Sequence, residues 1–148
     1  MIQRILHFVF LDRSRYPGTF TGELHYQSSR VVLPASIICL FAWLTYPPVD
    51  SALHPDQPFI VMLRFGLSVV SALLLVLYAV PWFRMRSMWL LSALGFYIET
   101  ATGVLTALTK ADPVYMGGYF FVLVIVVVAP IHKSVLWAMV TMSIGSFF

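Results

Sequence analysis

Charge is what this sequence lacks. Only 10% of its 148 residues are charged, and six are acidic, where a water-soluble domain carries about a quarter. Cysteine is nearly missing too: Cys39 stands alone in an apolar run, so the chain can close no internal disulfide and the residue reads as a small hydrophobe. The four histidines, His7, His25, His54 and His132, all lie away from the middle of the long apolar runs, which removes the usual intramembrane ligand of a haem or chlorophyll. His25 and His132 fall on one side but have no second histidine or carboxylate at ligand spacing, so no metal and no other cofactor is expected. Polar and apolar residues do not alternate in strand fashion, which argues against a β-barrel. Phosphate-binding glycine motifs and nucleophile–histidine pairs are absent as well, so neither catalysis nor nucleic-acid binding is expected.

What is present is hydrophobicity: 60% of the residues are apolar and the mean hydropathy is +0.89. In lipid, helices satisfy their own backbone groups, so the expected fold is an all-α, polytopic membrane bundle with a lipid bilayer as its first partner. About 20 residues cross ~30 Å of hydrocarbon, and the runs 31–46, 59–83, 88–108, 116–131 and 134–148 give about five spans. The first is short unless it tilts and borrows residues before Arg30. The last is short too, so either the final helix is brief or the native polypeptide continues. Residues 1–30 read as an interfacial segment in which Ile2, Ile5, Leu6, Val9 and Phe10, with Arg4 among them, form a short amphipathic helix.

Basic residues orient the bundle. Arg4, Arg13, Arg15 and Arg30 precede the first span, Arg84 and Arg86 connect the second to the third, and Lys133 connects the fourth to the fifth. The alternate connections carry Asp50 and Asp56, then Lys110 with Asp112. The N-terminus is therefore expected in the cytoplasm. Trp43, Tyr46, Trp82, Trp89, Tyr115 and Tyr119 near span ends read as interfacial belt aromatics, and Asp50, His54 and Asp56 as members of a solvated, proline-rich outer loop.

Two charges fall inside spans. Arg64 lies about six residues into the second span and Glu99 about ten residues from the outer end of the third, so their backbone depths differ by about 6 Å. An intramembrane charge needs a partner or water, so Arg64 is expected to pair with Glu99. With Tyr97, Thr100, Thr102 and Thr106, the pair either lines a polar pocket for a small lipophilic ligand or fixes helix register. Ser92, Gly95, Thr102 and Gly103 offer a small-residue face for close packing.

The layout "RVVLPASI", "YPPVDSALHPDQPF", "LRFGLS", "PWFR", "YIETATGVLTALT" and "GGYFFVLVIVVVAPIHKSVLWAMVTMSIG" resembles the N-terminal multi-span membrane domain of bacterial signalling cyclases, of the class III adenylyl or diguanylate type. The resemblance implies a non-catalytic sensory domain in the bacterial inner membrane. Such a domain dimerises and passes helix movement to a cytoplasmic output. A sixth span, a signalling helix and a cyclase domain are missing from this pattern, so the resemblance implies a truncated form. A different class of role also fits: a small accessory subunit stabilising a larger respiratory, photosynthetic or transport complex.

Overall fold

A computed structural model describes residues 12–145, with the side chains of 42–44 excepted. The amphipathic helix expected over residues 2–10, and residues 146–148 of the fifth span, lie outside the described residues. The described chain is all-helical. A 3-10 turn, Arg13–Arg15, precedes α1 (Phe20–Thr45), α2 (Pro47–Leu53), α3 (Pro58–Ala79), α4 (Pro81–Arg84), α5 (Ser87–Leu108), α6 (Pro113–Val128) and α7 (Lys133–Gly145).

Proline sets most of the starts. Pro47, Pro58, Pro81 and Pro113 open α2, α3, α4 and α6, where a missing N–H costs nothing and a fixed φ already suits the helix. Asp112 adds a side-chain cap to α6, its carboxylate accepting from the Val114 N–H at 2.9 Å. The turn before it is strained: Lys110 and Ala111 take φ values of 54° and 59°. The Ala111 N–H closes α5 by donating to the Thr106 carbonyl at 2.8 Å.

Long-range hydrogen bonds define two ends. At one, Tyr78 near the end of α3 donates to Ser29 O in α1 at 2.9 Å, and His25 of α1 meets the first turn of α5 at Met88 N. The Ser28 hydroxyl lies 2.7 Å from Pro130 O, just past α6. Arg84, Arg86 and Lys133 belong to this basic end. At the other, Gln57 before α3 donates to Leu108 O at the end of α5, at 3.2 Å, and Thr106 reaches Tyr115 O in the first turn of α6. Asp50, Asp56 and Asp112 belong to this acidic end. The long helices therefore run up and down, with α1 parallel to α5.

Helix α5 is the hub and packs against α1, α3, α6 and α7. Leu90, Leu91 and Leu94 of α5 share a buried cluster with Val32, Leu74, Tyr78, Val126 and Met139 from those four helices. Small residues permit close approach: α1 buries Ser28, Ser29 and Ser36, and α3 buries Ser68 and Ser71. A Cβ on Gly95 would sit 2.7 Å from Met139 Cε, and one turn further along both helices Glu99 lies beside Ser143. Helices α5 and α7 are thus parallel neighbours.

Three expectations change. Helix α1 is continuous from Phe20, eleven residues before the expected start of the first span, and it carries Pro34 within it. Tyr115 and Tyr119 are 5% and 7% exposed and point inward, unlike Tyr46, Trp82 and Trp89, which are exposed. The proline-rich connection folds as α2, whose Asp50 is buried at 3% exposure. Two prolines open this helix of about two turns, and its Asp50 meets Arg64 of α3.

Candidate functional site

The acidic end is built around Asp50. The Arg64 Nε lies 3.1 Å from Asp50 Oδ2, and the Tyr115 hydroxyl donates to Oδ1 at 2.7 Å. Both oxygens of a buried carboxylate are thereby satisfied by charge-assisted contacts. The guanidinium lies over the Tyr46 ring, 4.3 Å from its centroid, an arrangement that favours a cation. His54 sits one turn after Asp50 on the same face, its ring 5.4 Å from that of Tyr115 and its Nε2 3.8 Å from Asp112 Oδ2. Five elements meet here: the end of α1, α2, the start of α3, the α5–α6 turn and the start of α6.

The expected pairing of Arg64 with Glu99 is therefore corrected. The reason is azimuthal. Tyr97 faces α3, donating its hydroxyl to Leu63 O at 2.8 Å over Gly66, where a Cβ would lie 2.1 Å from that hydroxyl. Two residues of helix turn the direction by about 200°, so Glu99 faces α7 and α6 instead. Arg64 of α3 turns instead to Asp50 of α2.

Glu99 is 1% exposed, and no Lys, Arg or His side chain of the described residues pairs with it. The Ser143 hydroxyl of α7 lies beside the carboxyl and donates to the Tyr119 hydroxyl of α6 at 2.9 Å. The remaining expected residues disperse. Thr102 and Thr106 bond back to the carbonyls of Ile98 and Thr102, which occupies their donors. Tyr97 and Thr100 line an open groove of about 460 Å³ with Val70, Ala93 and Phe96. Its walls are almost wholly apolar, so it suits a hydrocarbon chain better than a polar ligand.

The basic end has its own lattice. His25 Nδ1 accepts from the Met88 N–H at 3.3 Å, satisfying a donor that the first turn of α5 would leave orphaned. Burial first, and then the Arg86 charge, hold this imidazole below its ordinary pKa of 6.5. Tyr16 reaches the Arg84 carbonyl at 3.4 Å. His132 is engaged separately, 2.6 Å from the Ser134 hydroxyl. Among the described residues no group of three or more His, Cys, Asp or Glu side chains is placed to hold a metal.

Sequence reasoning missed Asp50 as the partner of Arg64, and with it the gathering of Tyr115, His54 and Asp112 around that carboxylate. One signal was available: "PPVDSALH" opens with helix-starting prolines and spaces Asp50 four residues before His54. No protein-family model, curated protein or solved structure matches the chain.

Proposed function

We propose that this chain is an integral-membrane, non-catalytic input domain: it spans the bilayer several times and transmits rearrangement of its helices to an output domain on the side of its basic end. The observation that carries the reading is the inverted distribution of polarity. Helix α3 turns Met62, Phe65, Val69, Leu73 and Val76 outward, and α6 turns Phe120, Phe121, Val124, Ile125 and Val128 outward, while Asp50, Glu99 and the helix serines are buried. An apolar exterior of this extent suits lipid and not water.

Length agrees for two helices. Helices α3 and α5 have 22 residues each, with mean hydropathies of 2.5 and 1.3, long and apolar enough to cross a membrane. Helix α6 is apolar but shorter. The collection of Arg84, Arg86 and Lys133 at one end supports a cytoplasmic placement of that end. The resemblance to the membrane domains of bacterial signalling cyclases supports a sensory role, with the bistable element being the packing of α7 on α5. A second role is favoured by one observation: Trp137 and Ile144 of α7, seven residues apart and so on one helix face, are both exposed, as a face that docks on a larger membrane complex would be.

The test is extraction from the native membrane followed by intact mass and partner analysis. Resistance to alkaline carbonate together with a polypeptide well above 16.7 kDa supports the input domain. A 16.7 kDa species recovered at fixed stoichiometry with other membrane subunits supports the accessory role. Release by carbonate overturns both.

A further inference from the structure

Arg86 stands at the basic end, where α4 gives way to α5. Its guanidinium lies over the Trp82 ring, 3.8 Å from the centroid, and that ring is steadied in turn by Phe83, edge to face, with centroids 4.7 Å apart. The Arg86 carbonyl accepts the Trp89 N–H at 2.9 Å, so Trp89 follows one turn later. Arg86 and both tryptophans are exposed. Stacking on an indole engages the flat face of a guanidinium, while its five N–H donors lie in the plane, in a fork that matches phosphate. No carboxylate of the described residues pairs with Arg86. Glu23, the one acidic residue of α1, is taken by Arg13 at 3.0 Å.

We propose that Arg86, flanked by Trp82 and Trp89, binds the phosphate of an anionic phospholipid. The inference rests on the placement of the basic end at a membrane surface. A donor fork between two exposed indoles fits a partner whose anionic group adjoins an apolar body. Indoles lodge where acyl chains meet headgroups, and anionic headgroups attract arginine at the cytoplasmic surface. A free phosphate would leave both indoles in water. A zwitterionic headgroup brings its own ammonium, which competes with Arg86 for the phosphate.

Thermal unfolding of the full chain in detergent micelles tests the site, with phosphatidylglycerol, phosphatidylcholine or inorganic phosphate added at equal ionic strength. A ligand of the folded state raises Tm in a saturable way. The expected result is a rise with phosphatidylglycerol alone, lost in Arg86→Gln and needing several-fold more lipid in Trp82→Leu. Arg30→Gln, at an exposed arginine of the same end, should respond like the native sequence. If Arg86→Gln does not fold, Arg86→Lys decides, since it keeps the charge without the fork; its midpoint should rise several-fold, and an unchanged midpoint overturns the site. An equal rise with phosphatidylcholine or inorganic phosphate also overturns it. So does a response that survives Arg86→Gln, or one lost equally in Arg30→Gln, which would make the attraction diffuse. Release by carbonate would sink the membrane placement, whereas a carbonate-resistant chain with no phosphatidylglycerol response sinks this site alone.

Discussion

The Tyr115 hydroxyl donates a 2.7 Å hydrogen bond to Asp50 across 65 residues of chain, and on the carboxylate's other oxygen stands Arg64 at 3.1 Å. This one contact ties the first turn of α6 to a helix of seven residues. It makes the proline-rich connection part of the folded bundle.

Removing one partner of this cluster should be costlier than removing both. Asp50→Ala leaves the Arg64 guanidinium in a mostly buried position with no counter-charge, and a loss of about 3–5 kcal/mol is expected. Tyr115→Phe deletes one hydrogen bond to a charged group and should cost about 1.5–3 kcal/mol. The double change Asp50→Leu with Arg64→Met should recover much of the first loss. Reversible unfolding in mixed micelles measures all three, and a double change as damaging as Asp50→Ala would refute the assignment.

Gly66 should not tolerate a methyl group. A Cβ there would lie 2.1 Å from the Tyr97 hydroxyl, so Gly66→Ala is expected to lose about 1–3 kcal/mol through overpacking. Adding Tyr97→Phe removes the colliding oxygen and should return part of that loss. A Gly66→Ala protein as stable as the parent, with the Tyr97 hydroxyl still bonded to Leu63, would show the contact to be looser than described.

Ala111 should improve on replacement. Its φ of 59° is a left-handed conformation in which a Cβ costs about 1–2 kcal/mol. Ala111→Gly is therefore expected to raise stability by about 1 kcal/mol, less the added freedom of the unfolded chain. A higher unfolding midpoint with unchanged helix content is the predicted readout.

His25 should make the basic end sensitive to acid. Burial, then Arg86, depress its pKa in the folded chain below 6.5, so as pH falls the unfolded chain takes up the proton first. The stabilisation is complete above the unfolded value and is lost as pH falls through the folded one. As pH falls below 6.5, the stability of the native sequence should fall more steeply than that of His25→Gln. Parallel pH profiles would show that His25 is not the titrating group.

Helical class and the main breaks could be read from sequence because they depend on local chemistry: apolar runs, and prolines that lack a backbone N–H. The partner of Arg64 could not. Counting residues gives depth along a helix and says nothing of the direction in which Arg64 and Glu99 point. What separates them is the direction each faces, which depends on where α3 and α7 stand around α5. Asp50 was hidden for a related reason: its burial follows from α2 folding back, a tertiary event that no window of "PPVDSAL" reports. Tyr115 and Tyr119 show the same limit, since a tyrosine at a helix end is equally suited to an interface or to a buried carboxylate.

Helices α5 and α7 lie side by side with matching intervals: Gly95 faces Met139, and four residues later Glu99 faces Ser143. The two helices therefore work like a pair of graduated scales. A slide of α7 by one turn, about 5.4 Å, would bring Met139 opposite Glu99 and exchange the hydroxyl beside the carboxyl for a thioether. Any such displacement takes Met139 out of the space that Gly95 leaves for it, so the glycine holds α7 at its present graduation.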